Sequence, residues 1–174
     1  MIGPYLNAPA ACLNYDSRAP LVAQQVAALI AARLPDVIVE HIGSTAVPGC
    51  AGKGVVDLML LYPPGRLAAA KRVLVDLGFQ PQSTRDPFPE ERPMRLGAIE
   101  HDGTTFRLHV HVLAADSPEV AELRAFRDRL RVDPQLRAAY VARKREILRA
   151  GISDTVDYSI AKGDFCVEVV GRAK

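Results

Sequence analysis

The spacing of apolar residues along the chain predicts alternating helices and strands. From Ser17 onward, apolar side chains recur every three to four positions, which is the period of a helix with one buried face. Residues 37–42 and 55–62 are instead short apolar runs, and such runs favour strands. Only Asp57 interrupts the second run. We therefore expect residues 55–62 to form a central strand with both faces buried.

Turn and capping residues predict the remaining elements. A second helix follows residue 66 and ends at Gly78, a residue type common just after a helix. Asp102-Gly103 is a strong hairpin turn between apolar residues 94–100 and 104–112. Helix-capping residues then begin three further helices, at Ser117, Asp133 and Ser153. The order α-β-β-α-β-β-α-α-α predicts an α/β (α+β) fold, a single domain over residues 1–174 with helices packed on a mixed sheet.

Composition and charge exclude several classes of protein. The chain has 174 residues, 49% of them hydrophobic, and a net charge of +2. This apolar content argues against disorder, and the balanced charge argues against general nucleic-acid binding. No apolar run approaches the roughly 18 residues of a membrane span, and no signal peptide is apparent. The three widely spaced cysteines suit reduced thiols, so we expect a cytoplasmic protein without membrane attachment.

A loop rich in small residues, residues 43–54, separates the first two predicted strands. Small residues such as Gly43 allow a ligand to approach the backbone closely, and backbone amides can bind phosphate oxygens. Ser44 and Thr45 add hydroxyl groups to this loop. A carboxylate on the next strand, Asp57, has the chemistry to hold a divalent cation between phosphates. The alternative is a structural turn, with Asp57 in an ion pair with a basic neighbour such as Lys53 or Arg107.

The strand at residues 104–112 alternates apolar and polar side chains. Arg107, His109 and His111 therefore share one face. If this strand neighbours the strand of Asp57, two imidazoles and one carboxylate form a candidate metal site. Such ligands suit Mn²⁺, Fe²⁺ or Zn²⁺ better than Mg²⁺. The alternative is a solvated polar face.

Basic and aromatic residues outside these strands allow further interpretations. Tyr158 and Lys162 are four residues apart on one predicted helix face, so they can act on the same ligand. The run Arg143-Lys144-Arg145 is typical of a solvated helix face. Residues 80–93 are rich in proline and charge and predict a surface loop, with Arg95 as a surface residue just beyond it.

Four stretches of the chain, taken together, resemble the GrpB family. Residues 40–60 read EHIGSTAVPGCAGKGVVDLML and are similar to its H-I-G-S-T signature. The other three matching stretches are Arg107–His111, Phe126-Arg127-Asp128, and the helix residues Tyr158, Lys162 and Phe165. The resemblance implies a nucleotidyltransferase-like fold. Fusion of some family members to dephospho-CoA kinase further implies a small nucleotide or CoA-related ligand.

The sequence departs from the wider nucleotidyltransferase superfamily at one functional position. Active members carry two acids two residues apart on one strand, whereas Asp57 is followed on the same face by Met59. One interpretation is a metal-dependent enzyme that transfers a nucleotidyl or phosphoryl group to a small acceptor. The catalytic and metal-binding residues would then be Asp57, His109 and His111, with Mg²⁺, Mn²⁺ or Zn²⁺ as the ion. The ligand would be held by Gly43, Ser44, Thr45, Lys53, Arg107, Tyr158 and Lys162.

Two other interpretations remain open. The first is a non-catalytic domain that binds a nucleotide or a CoA-like compound, which the methionine at position 59 favours. The second is a metal-dependent hydrolase that uses Asp57 with His109 and His111.

Overall fold

The computed structural model describes residues 1–171 of the chain, and its elements follow the predicted order with one short strand added before the hairpin. A short 3-10 turn at Ser44–Ala46 lies in the loop between the first two strands. The elements are α1 (Ala19–Ala31), β1 (Ile38–Ile42), β2 (Val55–Tyr62), α2 (Leu67–Asp76), β3 (Gln80–Pro81), β4 (Met94–His101), β5 (Thr104–Ala114), α3 (Pro118–Val132), α4 (Pro134–Arg149) and α5 (Thr155–Gly171).

The strands form one mixed sheet in the order β1-β2-β5-β4-β3. β2 and β5 run parallel, and the other neighbouring strands are antiparallel. In the parallel pair, Asp57 lies opposite His109 and Met59 lies opposite His111. The mixed sheet is therefore confirmed, and the carboxylate strand and the histidine strand are neighbours, which was the condition for a shared site.

The main core lies on the sheet face that α1 and α2 cover. Side chains at even positions of β2 and β5, such as Leu58 and Val110, pack there against Val22, Val26 and Ile30. Because side chains alternate along a strand, the odd positions project to the opposite face, toward the C-terminal helices. Asp57, His109 and His111 are all at odd positions. This alternation places the polar residues between the sheet and the C-terminal helices.

The N-terminal residues have no regular secondary structure, yet hydrogen bonds fix them to the domain. Gly3 exchanges two backbone hydrogen bonds with Ala98 of β4, with N···O distances of 2.8 and 3.0 Å. Leu13 exchanges two with Gly52, at 2.7 and 2.9 Å. The segment between these points carries Tyr5, whose ring lies beside that of His109.

The structure corrects the interpretation of residues 80–95. Part of the predicted surface loop forms the two-residue strand β3, which pairs with β4. Arg95, predicted to be a surface residue, is buried on β4, where its guanidinium donates two hydrogen bonds to Glu90. This local ion pair permits the burial of the charge. Within residues 1–171, no helix has the length and apolar character required to cross a membrane.

Candidate functional site

The backbone at Gly43 lies directly against the carboxylate of Asp57. Gly43 has φ +71° and ψ −169°, a conformation that residues other than glycine adopt only under strain. A Cβ atom at this position would lie 2.5 Å from Asp57 Oδ2. Glycine is therefore required here by both the backbone angle and the space. At this point the small-residue loop, which was predicted to approach a ligand, packs against the side chain of Asp57.

Asp57, His109 and Tyr5 form a chain of hydrogen bonds across the site. His109 Nδ1 lies 3.2 Å from Asp57 Oδ1, and His109 Nε2 lies 2.8 Å from the Tyr5 hydroxyl. Burial alone would raise the pKa of Asp57, but the contact with His109 and the positive charge of Lys53 lower it well below its usual value. An ionised carboxylate only accepts hydrogen bonds. A neutral His109 therefore carries its proton on Nδ1 and accepts the Tyr5 hydroxyl proton at Nε2.

His111 lies on the same face but has different neighbours. Its ring meets the edge of Phe88 at a centroid distance of 5.6 Å. Burial lowers the pKa of His111 to about 4, despite the opposing charge of Asp57. His111 is therefore neutral at physiological pH and adds no positive charge to the site.

The predicted metal ligands come together on one face without forming a three-ligand site. Among the residues that the structure describes, no three His, Cys, Asp or Glu side chains are grouped to hold a metal ion. Both ring nitrogens of His109 already have partners in Asp57 and Tyr5. His109 therefore does not fit the part of a metal ligand in this arrangement, and Asp57 is the carboxylate on this face that fits a hard divalent ion.

Two lysine ammonium groups lie near the Tyr158 ring. Lys53 Nζ is 5.7 Å and Lys162 Nζ is 5.9 Å from the ring centroid. Burial and the charge of Lys162 lower the pKa of Lys53 to about 8, against the opposing effect of Asp57. Arg107 donates a hydrogen bond to the carbonyl of Lys53 at 2.6 Å and so fixes the backbone of this residue.

The hydroxyls of the small-residue loop have internal partners. Thr45 Oγ1 donates to the carbonyl of Val55 at 3.0 Å and lies 3.0 Å from His41 Nε2. Because the threonine has one hydroxyl proton, His41 Nε2 must be the donor in the second contact. Thr45 therefore holds the loop to the start of β2. Ser44 differs, since its hydroxyl receives a hydrogen bond from Lys144 at 3.1 Å.

Lys144 is the main site residue that sequence analysis missed. The prediction of a solvated helix face is wrong at this position, because Lys144 has only 1% of its surface exposed. Its ammonium also donates to the carbonyl of Ala51 and lies 4.2 Å from the Tyr140 ring centroid. Tyr140, Lys144 and Ile147 are buried at spacings of four and three residues. That helical periodicity was the available indication that Lys144 faces inward.

The site residues line two adjoining cavities. The larger has a volume of about 1120 Å³ and includes Tyr5, Arg107 and His109. The smaller has a volume of about 470 Å³ and includes Ser44 and Lys144. Five residues line both cavities, and these are Lys53, Val55, Asp57, His111 and Lys162. Every residue predicted for the site lines at least one cavity, so the sequence identified a group that the fold does bring together.

Solved structures and relatives in other organisms resemble this chain. A conserved protein GrpB from Enterococcus faecalis has a TM-score of 0.69 at 20% identity, over 94% of this chain and 99% of its own. Cid1 in complex with its short product ApU has a TM-score of 0.55 at 14% identity, over 79% of this chain and 43% of its own. These likenesses show a nucleotidyltransferase-like fold.

Sequence comparison places the chain within one family. A UPF0157 protein of Streptomyces coelicolor is 35% identical over 79% of this chain and 69% of its own length. A UPF0157 protein of Pseudomonas aeruginosa is 34% identical over 80% of this chain, which spans 57% of that relative. The family model described as GrpB protein matches residues 9–172. The chain therefore belongs to the GrpB protein family.

Proposed function

We propose that this protein binds a nucleotide-like ligand where the two cavities meet, and transfers a nucleotidyl or phosphoryl group from it to a small acceptor. The observation that carries the proposal is the charge at that junction. Lys53 and Lys162 supply two positive groups beside the single carboxylate of Asp57. Phosphates of a nucleotide complement this arrangement.

The smaller cavity suits the nucleoside part of such a ligand. Beside Ser44 and Lys144 it has an apolar and aromatic lining that includes Leu123 and Phe126. Apolar walls with a few polar groups are typical of ligand pockets. The larger cavity, on the side of His109, is then the place for the acceptor. Cid1 structures contain a UTP analogue or Mg with 3'-dATP, so this fold accommodates nucleotides in that protein.

A divalent ion is part of this proposal in a limited form. Asp57 would hold it together with phosphate oxygens of the ligand, since Met59 supplies no second carboxylate. The ion would neutralise charge on the phosphates. Lys53 and Lys162 would bind the same phosphates, and Gly43 would keep the carboxylate in place.

A second candidate function is ligand binding without catalysis. Met59 is completely buried in an apolar cluster with Ile42, Leu61 and Leu113. Position 59, where active nucleotidyltransferases carry their second acid, is therefore part of the apolar core. A domain that binds a nucleotide or a CoA-like compound needs the lysines and the smaller cavity but no second acid.

Thermal unfolding with added ligands tests the proposal. The purified chain would be heated with ATP, CTP, GTP, UTP or CoA, each with Mg²⁺, Mn²⁺ or Zn²⁺. A ligand at 100 times its Kd stabilises the native state by about 2.7 kcal/mol. We expect a metal-dependent shift with a nucleotide that is lost in Asp57→Asn and retained in Asp76→Asn, a change at an exposed helix residue.

The outcomes separate the candidate functions. A shift followed by formation of pyrophosphate or a transferred product supports group transfer. A shift without any turnover supports the binding domain. The absence of a shift with every nucleotide and CoA would refute both.

A further inference from the structure

Tyr5 lies at one end of a series of polar contacts that has the arrangement of an activated nucleophile. Its hydroxyl is 2.8 Å from His109 Nε2, and His109 Nδ1 is 3.2 Å from Asp57 Oδ1. A nucleophile within hydrogen-bond distance of a base, with a third group orienting that base, is the arrangement that activates hydroxyl side chains. Tyr5 also precedes residues 9–172, the part of the chain that the family model matches.

Contacts on both sides of Tyr5 hold its ring in place. The Tyr5 backbone amide donates to Gln80 Oε1 at 3.1 Å. Gly3 is paired with Ala98 of β4, and the amide of Ala10 donates to the carbonyl of Ser153 at 2.8 Å. The ring centroids of Tyr5 and His109 are 5.4 Å apart. The phenol is therefore positioned by the fold and does not reach His109 from a free chain end.

The surroundings of Tyr5 favour a proton transfer that accompanies bond formation. Burial raises the pKa of Tyr5 above its usual value, although Arg107 opposes this effect. The phenol is therefore protonated at neutral pH and becomes strongly nucleophilic only as its proton leaves. His109 Nε2 is placed to receive that proton, Asp57 stabilises the resulting imidazolium, and the positive charge of Arg107 stabilises the phenolate.

We propose that Tyr5 is a site of self-nucleotidylation, in which its phenol oxygen attacks the α-phosphorus of a nucleoside triphosphate. This inference rests on the proposed function, because the co-reactant is the triphosphate whose phosphates Lys53 and Lys162 would bind. The Tyr5 oxygen–phosphorus bond forms, and the bond from phosphorus to the bridging oxygen of pyrophosphate breaks. The phenol proton passes to His109 Nε2 and then to solvent. The products are O-nucleotidyl-Tyr5 and pyrophosphate.

The first experiment tests Tyr5 without any nucleotide. The full chain would be treated with an aryl sulfonyl fluoride, which forms a sulfonate ester with an activated phenol and releases fluoride and a proton. Peptide mass spectrometry would give labelling rates for Tyr5 and for the half-buried Tyr15 and Tyr62. General-base assistance raises a reaction rate by about 100-fold or more. We therefore expect Tyr5 to be labelled at least about tenfold faster than Tyr15 and Tyr62. His109→Gln should reduce its rate to that of Tyr15, and equal rates in the unaltered chain would overturn the proposal.

The second experiment looks for the adduct itself. The chain would be incubated with each nucleoside triphosphate and Mg²⁺ or Mn²⁺, and its intact mass measured. We expect one nucleotidyl adduct, mapped to Tyr5, which is absent in Tyr5→Phe and His109→Gln and present in the control Tyr15→Phe.

The thermal shift with nucleotide separates this proposal from the proposed function. A chain that shows the shift but forms no adduct retains the proposed function and overturns self-nucleotidylation. Faster transfer to an external acceptor in Tyr5→Phe, again without an adduct, would mean that the phenol only occupies the place of an acceptor hydroxyl. A chain without a shift and without an adduct would overturn both proposals.

Discussion

The contact between Gly43 and Asp57 predicts that Gly43→Ala is strongly destabilising. Two separate costs arise from one added methyl group. The backbone must keep φ +71° and ψ −169° with a side chain present, and the new Cβ would lie 2.5 Å from Asp57 Oδ2 and 3.1 Å from Asp57 Cγ. Rotation of the carboxylate would break its contact with His109, whose Nδ1 lies 3.2 Å from the other oxygen.

The magnitude follows from these two costs. A residue other than glycine in this region of backbone angles costs about 1–3 kcal/mol. Forcing an extra methyl group into a packed site costs about 1–3 kcal/mol. Taking the middle of the backbone cost and the lower end of the packing cost, we expect a loss of about 3 kcal/mol in the free energy of unfolding. For a domain of this size, that corresponds to a fall in Tm of about 6–12 °C.

Gly49→Ala in the same loop is the matched control. Gly49 also has a positive φ, +76°, but a Cβ there would have nothing within 4 Å. The two variants would be compared by urea unfolding and by calorimetry. The double variant Gly43→Ala/Asp57→Ala should be about 1 kcal/mol more stable than the sum of the two single changes predicts. The clash with the carboxylate is then removed, while the backbone strain stays. A cost for Gly43→Ala no greater than that for Gly49→Ala would contradict this prediction.

Two further predictions concern buried charge. Burial lowers the pKa of His41 and of His111 to about 4 in the folded protein, whereas an unfolded histidine has a pKa near 6.5. The unfolded chain therefore binds protons first as the pH falls, so stability should decline from pH 6.5 to pH 4 by up to about 3 kcal/mol per histidine. Urea unfolding at several pH values should show a shallower decline for His41→Gln, and a pH-independent wild type would contradict this. Lys144→Met leaves the Ala51 carbonyl without its donor and should cost about 1–3 kcal/mol, while the exposed control Arg145→Met should change stability by no more than about 0.5 kcal/mol.

The order of elements was predictable because each depends on local chemistry. Apolar periodicity separates helices from strands, and residues such as Gly78 and Asp102-Gly103 mark the turns. The alternation of β5 also predicted that His109 and His111 share a face. Their position beside Asp57 was a hypothesis that depended on the pairing of β2 with β5, which the structure confirms.

The contacts that complete the site were not predictable from local patterns. Tyr5 and His109 are 104 positions apart, and Lys144 and Ser44 are 100 positions apart. No spacing rule connects residues so distant in sequence. Lys144 was misassigned because a basic run usually faces solvent, whereas the partners that permit its burial lie in the loop after β1.

The packing around Met59 explains why the charge of this site differs from that of a two-carboxylate centre. Met59 shares its face of the sheet with Asp57, but it packs with Ile42 and Leu113 beneath α3. A carboxylate there would be buried among apolar side chains, which costs several kcal/mol without a partner. Among the five residues that line both cavities, the acidic residue is therefore Asp57, and it lies with Lys53 and Lys162. This excess of positive charge at the junction is the feature on which the proposed binding of a polyphosphate depends.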